Sequence, residues 1–505
     1  MNINPLTAID FYKADHRSQY PSGTTEVYSN FTPRSNRLAK VIASGNDSKV
    51  VMFGLQYFIK NFLQEVWNEQ FFNKDKKKVV RAYKRRMDYS LGKEAVSVEH
   101  IEALHDLGYL PLKIKALPEG ARVPIGVPVL TIVNTKPEFF WLTNYIESVI
   151  SAYLWKPMTS ATTAFEYKRL LSKYAAITGS DAEFVQFQAH DFSFRGMSSL
   201  QDSAVSGAAH LTSFWGTDTV PAIDFVEDYY GADVTKNPVG FSVPATEHSV
   251  MCMGEQQQEI QTFKRLINET YPSGIVSIVS DTWDFWKVIT EYLTILKDDV
   301  MAREGKVVIR PDSGDPIKII CGDKDAPVGS PQYKGAIECL WDVFGGTTTE
   351  KGYKLLDQHI GLIYGDSITL ERAEKIVQGL EEKGFASGNV VLGIGSYTYQ
   401  FATRDNYGFA MKATSGVVNG QRRDIFKDPL TDAGTKKSAK GLLRVEIEDS
   451  RYVLYDQQTI GEEEQGELDC VFLDGKLMKE YTLDEIRQRL DVALVELQGG
   501  DDIEA

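Results

Sequence analysis

The stretch GIVSIVSDTWD (residues 274–284), followed by KVVIRPDSGDP (306–316), decides how this chain is read. Each is a short β-branched run that stops at a charged residue, Asp281 in the first and Arg310 with Asp312 in the second. Gly, Ser or Pro follows, and then a helix-like stretch. The same theme recurs in FVQFQAHDFSFRG (184–196), GTDTV (216–220), GFSVPATEHS (240–249), HIGLIYGDS (359–367) and NVVLGIGSYT (389–398). The marker residues Asp191, Asp218, His248, Asp281 and Asp312 lie roughly 30 apart, the length of one βα unit. The gap to Asp366 is longer, and 320–352, carrying GGTTTEKG, reads as an insertion. Repeated βα units with polar residues at their strand ends predict an α/β fold built on a (β/α) barrel, whose site forms at the C-terminal face. An open doubly wound sheet is the alternative.

On either side of these units the texture differs. FGLQYFIKNFLQEVWNEQFF (53–72) has helical periodicity, while LPLKIKALPEG (110–120) and PVLTIVNT (128–135) read as short strands. KDKKKVVRAYKRR (74–86) reads as the solvated face of a helix. After 400, FATRDNYGFAMKATSGVVNG (401–420) reads as a hairpin, FKDPLTDAGTKKSAKG (426–441) as a basic loop and RVEIEDSRYVLYD (444–456) as alternating strands. TLDEIRQRLDVALVELQ (482–498) reads as an amphipathic helix opened by a Thr482–Glu485 capping box. The last residues, GGDDIEA (499–505), read as a disordered tail. Both chain ends are therefore expected to form one smaller α+β domain, from 31–125, 148–180 and 401–498. The barrel is expected over 181–400, joined by parts of 1–30 and 126–147.

Composition limits the function. The 505 residues carry a formal net charge of −15, which repels nucleic acid and anionic membranes, so an anionic substrate needs a local basic cluster. Four cysteines (Cys252, Cys321, Cys339, Cys470) without CxxC spacing fit reduced thiols in a cytoplasm rather than a zinc site or disulfide scaffold. No apolar run approaches the roughly 18 residues that span a bilayer, and no export signal is expected.

The strand ends gather Asp218, Glu247, His248, Asp281, Asp312 and Asp366, with Arg195 and Arg310 beside them. No lysine stands at a strand end, which disfavours Schiff-base chemistry. Arginines next to Gly-containing turns suit a phosphate. The aspartate of RPDSGDP can accept from sugar hydroxyls or hold Mg²⁺ through water. A sugar phosphate or diphosphate is the ligand class this combination indicates.

The segments DFYKADHRSQYP (10–21), HDFSFRG (190–196), GTDTV, GFSVPATEHS, VSDTWD (279–284), VIRPDSGDP (308–316), GYKLL (352–356), YGDSI (364–368), TRD (403–405) and FKDP (426–429) occur in this order over nearly the whole chain. They resemble the nicotinamide phosphoribosyltransferase family, of the type II phosphoribosyltransferase fold. The resemblance implies an irregular α/β barrel plus a smaller domain, working as a homodimer with shared sites. It implies transfer of phosphoribose from 5-phosphoribosyl 1-diphosphate to nicotinamide in NAD salvage, with Mg²⁺ as cofactor and ATP as co-substrate through a phosphohistidine.

Residue by residue, the resemblance places the pyridine ring between Phe192 and Tyr12 of the other subunit, near Asp10, with Asp218 accepting from the carboxamide. Arg310, Asp312, Gly365 and Asp366 hold the ribose, and Arg195, Ser277, Gly395, Ser396 and Arg34 contact the phosphoribose. Arg404, Lys412, Lys427 and Lys436 bind diphosphate across the interface. Mg²⁺ sits near Asp281 and Asp312 through waters. His248 takes the γ-phosphoryl group of ATP, with Glu247 orienting its ring. The family carries a longer glycine run where this chain has residues 393–397, which leaves the 5-phosphate contacts open. Nicotinate phosphoribosyltransferase and a non-catalytic module on the same fold remain the alternatives.

Overall fold

The computed structural model describes residues 3–39, 48–365, 367–426 and 439–501. Its central feature is a curled parallel sheet. In spatial order its strands are Gly216–Thr217, Ala189–Phe192, Val390–Gly395, Ile360–Tyr364, Val307–Arg310 and Val276–Val279. The two edges meet on the segment 241–245, where Phe241 bridges Gly216 and Ala245 bridges Ser277, both in parallel sense. Phe241 donates to the Trp215 carbonyl at 2.7 Å and its own carbonyl accepts from Thr217 at 2.9 Å. Ser277 donates to the Pro244 carbonyl at 2.8 Å and accepts from Thr246 at 3.0 Å. This seam decides for a barrel against an open sheet, and it is irregular because Pro244 lacks an N–H to donate to a neighbouring strand.

Alternation along the strands sorts the two faces. Val307, Ile309, Leu362, Tyr364, Leu392 and Ile394 are buried in the apolar layer between sheet and helices. Val308, Arg310, Ser277, His190, Phe192 and Gly393 therefore turn to the barrel interior. Helices follow the strands, among them Leu200–Leu211, Val220–Tyr230 and Leu370–Glu382. The 320–352 insertion folds as helix Ala336–Phe344 and strand Gly346–Thr348, which pairs with Lys354–Leu356.

A second sheet of seven strands packs beside the barrel, in the order Gln421–Asp424, Ala410–Val418, Thr24–Thr32, Leu130–Asn134, Leu112–Ala116, Asp469–Leu473 and Lys476–Leu477, with every pairing antiparallel. Strands from both chain ends thus interleave. Thr24–Thr32 and Leu130–Asn134 fall mainly within 1–30 and 126–147, parts of which are expected to join the barrel, and both are hydrogen-bonded into this sheet. Of the stretch 401–420 expected as a hairpin only Ala410–Val418 is a strand; it pairs with Gln421–Asp424, beyond that stretch, through a tight two-residue turn at Asn419 and Gly420, with φ of 52° and 75°. The capping box holds, since Thr482 N–H donates to Glu485 at 2.7 Å and Glu485 N–H donates back at 3.2 Å. That helix runs to Asp501, so Gly499 to Asp501 continue the helix instead of starting the expected tail. Among the described residues no helix is long and apolar enough to cross a membrane.

The 32-residue helix Glu147–Thr178 joins the two halves, because its first turns lie in the core of the antiparallel sheet and its last turns in that of the barrel. Nearby, the fully buried Glu119 accepts the Gly54 and Gln56 N–H groups at 2.8 Å each, capping the helix that begins at Leu55. Burial pushes its carboxyl up to about 7, against the lowering effect of those N–H groups. Between the ordinary carboxyl value and 7 the folded chain then holds a proton the unfolded chain has lost, so stability falls as pH rises through this window. Glu119→Gln is expected to remove that slope, worth about 2 kcal/mol, so that the melting temperature of the wild type drops more steeply between pH 5 and 8 than the variant's.

Candidate active site

The C-terminal ends of the parallel strands form the rim, as barrel geometry requires. Gly395 pairs with Phe192, Asp191 with Thr217, and Val279 with Arg310, so the turns after these strands converge. On the first side, the Phe192 ring lies 4.7 Å from the His190 ring. A Cβ at Gly393 would stand 2.5 Å from the Phe192 ring and 2.8 Å from Gly365 Cα, so only glycine keeps this ring in place.

His190 Nε2 lies 2.8 Å from Asp218 Oδ1, and the Ser242 hydroxyl donates to the same oxygen at 2.6 Å. A carboxylate only accepts, so Nε2 carries the proton. Burial works to raise the Asp218 carboxyl, but the hydrogen bond and charge of His190, the Ser242 hydroxyl and the Arg310 charge outweigh it and hold the group below its ordinary value. Asp218 is therefore an anion. Its Oδ2 has no hydrogen-bond partner among the described residues and is left for a ligand N–H.

On the second side, Arg310 donates through Nη2 to the Thr246 carbonyl at 2.8 Å, and its Nε lies 3.5 Å from Asp312 Oδ2. A Cβ at Gly365 would come within 2.3 Å of Asp312 Oδ1, so this glycine makes room for the carboxylate. Asp281 links the turns: its Oδ2 accepts the Asp312 N–H at 2.9 Å and its Oδ1 lies 3.2 Å from His248 Nε2. Burial opposes ionisation of Asp281, but Ser313, the Asp312 N–H and His248 overcome it and hold the carboxyl below its ordinary value.

The expected partner of the His248 ring is corrected here. Glu247 has extended backbone, with φ −119° and ψ 170°, just ahead of the helix His248–Met253. Its carboxylate accepts the Ser249 hydroxyl, while Asp281 holds the ring. Neighbours in sequence diverge at a helix start, whereas a residue 33 positions away on the next strand end reaches the imidazole.

For Mg²⁺, no cluster of three or more His, Cys, Asp or Glu side chains is present among the described residues. Asp281 and Asp312, on neighbouring strand-end turns joined by the Asp312 N–H bond to Asp281, still fit this cation, which keeps most of its waters and relies on one or two carboxylates plus substrate phosphates.

Tyr12, 59% exposed, belongs to a different cluster. Its ring lies beneath the Lys13 ammonium at 5.0 Å, and Lys13 pairs with Glu147. Burial, Glu147 and Asp10 raise its hydroxyl, and Arg404 lowers it. Arg404 also depresses Arg34 after burial does, so the two guanidinium groups are close. Arg34 donates to the Gly408 carbonyl at 3.2 Å, and Asp10 is bonded to Ser148. Lys412 stands on the adjoining strand opposite Asn30. This cluster gathers Asp10, Tyr12, Arg34 and Arg404, and Lys412 lies on the strand that pairs with Thr24–Thr32.

The remaining expectations divide. Arg195 is exposed in the turn after Phe192. Ser277 turns inward, 4% exposed, and its hydroxyl has no hydrogen-bond partner among the described residues. Gly395 ends its strand and Ser396 opens the five-residue helix Ser396–Gln400, packed against Gly196 so closely that a Cβ there would meet its hydroxyl at 2.0 Å. Asp366, Lys427 and Lys436 lie outside the described residues. Sequence reasoning missed His190 and Ser242 as partners of Asp218. The period of two that puts His190 on the same strand face as Phe192 is the signal that finds the first.

Residues 187–473 match the profile of the nicotinate phosphoribosyltransferase (NAPRTase) family, and residues 4–114 that of the nicotinamide phosphoribosyltransferase N-terminal domain. A nicotinamide phosphoribosyltransferase of Acinetobacter baylyi is 65% identical over 494 residues, 97% of each chain. One from Xanthomonas campestris is 31% identical over 498 residues, 97% of this chain and 98% of that one. Among solved structures, a nicotinate-nucleotide pyrophosphorylase from Pyrococcus furiosus superposes with a TM-score of 0.56 at 13% identity, covering 97% of this chain and 95% of that one. At that identity the likeness shows the fold alone. The sequence profiles and the full-length relatives together make this chain a member of the nicotinamide phosphoribosyltransferase family.

Proposed function

We propose that this protein transfers the 5-phosphoribosyl group of 5-phosphoribosyl 1-diphosphate to nicotinamide, forming nicotinamide mononucleotide and diphosphate for NAD salvage. The observation that carries this reading is the ionised Asp218 beside Phe192, with one oxygen held by His190 and Ser242 and the other available. Phe192 offers an aromatic face to the electron-poor pyridine ring. Asp218 Oδ2 accepts from the carboxamide NH₂, and the same charge repels the carboxylate of nicotinate. Arg310 and Asp312 hold the ribose hydroxyls next to Gly365, and the same role falls to Asp366, which lies outside the described residues.

The reaction needs no proton transfer. The pyridine nitrogen lone pair bonds to C1 of the ribose as the C1–O bond breaks, and that electron pair leaves on diphosphate. Catalysis then consists of aligning nitrogen and C1 and of neutralising the leaving group. Asp281 and Asp312 would hold Mg²⁺, which would supply part of that charge. Arg195, Ser277, Gly395 and Ser396 lie toward the phosphoribose.

Tyr12, Asp10, Arg34, Arg404 and Lys412, with Lys427 and Lys436, form the half-site that a second subunit brings to this rim in a homodimer. They supply the local positive charge that the acidic chain otherwise lacks. His248 accepts the γ-phosphoryl group of ATP on the ring nitrogen that Asp281 does not hold, displacing ADP. The test uses purified protein with nicotinamide, 5-phosphoribosyl 1-diphosphate, Mg²⁺ and γ-labelled ATP. Nicotinamide mononucleotide and an acid-labile label on the protein are expected, and the label is expected to vanish in His248→Ala. Absence of mononucleotide would refute the transfer, and a label that persists in His248→Ala would refute the histidine's role.

A further inference from the structure

A cleft of about 540 Å³ opens at the opposite end of the barrel from the rim. Its inner wall comes from Gln186 and Trp215, which precede the first residues of two barrel strands, and from Lys168 and Ser213. Its outer wall is the C-terminal helix. Nothing in the proposed reaction uses it.

The floor is polar and incompletely partnered. Lys168, 8% exposed, donates to the Ser213 carbonyl at 3.1 Å and forms no ion pair among the described residues. Burial pushes its ammonium down to about 8, with Arg487 depressing it further and Asp491 partly restoring it. The Ser213 hydroxyl, 9% exposed, has no hydrogen-bond partner among the described residues. Arg487 is already engaged, donating to the carbonyls of Leu211, Pro238 and Val239 at 2.6 to 2.8 Å. A buried ammonium with donors to spare, next to an unpartnered hydroxyl, is a seat for an oxyanion.

The walls suit a flat apolar body. The Trp215 ring has the Arg487 guanidinium 5.8 Å from its centroid, and Val492 and Val495, 55% and 67% exposed, line the helix side. Asp484, Asp491 and Glu496 also line the cleft, and their negative charge opposes a ligand bearing a long polyphosphate.

We propose that this cleft binds a mononucleotide, with its single phosphate on Lys168 and Ser213 and its base between Trp215 and the valine shelf. The cleft falls within the size range of small-molecule sites, and base stacking on an aromatic ring is a recurrent mode of recognition. Trp215 N–H donates to the Gln186 carbonyl at 2.8 Å, its own carbonyl accepts from Phe241, and Asp218 lies three residues further on.

Calorimetric titration with adenosine 5′-monophosphate tests this, carried out on Arg310→Ala protein so that binding at the rim is weakened. One binding site is expected. Adding Lys168→Met is expected to weaken it at least about tenfold, the share of one charge-assisted hydrogen bond, and Trp215→Leu to weaken it comparably. Inorganic phosphate, lacking the base, is expected to bind more weakly than the nucleotide. Should Lys168→Met fail to fold by circular dichroism, Ser213→Ala, expected to cost at least about threefold, takes its place. Absence of nucleotide binding to Arg310→Ala protein, or an affinity indifferent to Lys168→Met and Ser213→Ala, would overturn the proposal.

Discussion

Arg310→Ala is expected to lower kcat/KM for mononucleotide formation by about 10²- to 10³-fold without unfolding the protein. This guanidinium ends a barrel strand, donates to the Thr246 carbonyl and lies 3.5 Å from Asp312. Its charge also helps keep Asp218 ionised. Truncation therefore removes a preorganised cation from the rim and leaves Asp312 without its neighbouring charge. Arg310→Lys is expected to recover only part of the loss, because a single ammonium cannot serve the carbonyl and the carboxylate in one plane. Steady-state kinetics of the three proteins, with circular dichroism to confirm folding, checks this. A loss of less than threefold in the alanine variant would mean that Arg310 does not touch the reacting sugar.

Asp218→Asn is expected to reduce the preference for nicotinamide over nicotinate by about 10²-fold. The wild-type carboxylate accepts through Oδ1 from His190 and Ser242, which in the proposed reading leaves Oδ2 for the carboxamide. The neutral amide withdraws the charge that repels nicotinate and, with its C=O accepting from His190 and Ser242, turns an NH₂ donor toward the ligand where the carboxylate offered an acceptor. Turnover of nicotinamide falls and turnover of nicotinate rises. His190→Ala leaves the charge but frees the carboxylate to rotate, so it is expected to raise KM for nicotinamide more than it lowers kcat.

The rim was legible in the sequence because strand ends carry their chemistry locally. A β-branched run that stops at Asp281, or at Arg310 and Asp312, marks both the element and the polar side chain at its end, and the roughly 30-residue spacing adds Asp218 to the same rim. What lay beyond the sequence depends on pairing across long separations. The segment GFSVPATEHS reads as one of the repeated units, but its pairing at 241–245 consists only of isolated bridges, to Gly216 on one side and Ser277 on the other, which no local pattern reveals. Asp281 as partner of His248 needs two adjacent barrel turns, while sequence adjacency points to Glu247. Leu130–Asn134 reads as a strand while Thr24–Thr32 does not stand out, and only their pairing with each other, with Ala410–Val418 and with Leu112–Ala116 shows to which sheet they belong.

The measurement closest to the central claim is kcat/KM of the wild-type protein for nicotinamide and for nicotinate, taken side by side with saturating 5-phosphoribosyl 1-diphosphate and Mg²⁺. An anionic Asp218 facing the ring substituent predicts a preference for the amide of at least about 10²-fold. Equal use of the two pyridines, or a preference for nicotinate, would contradict the account.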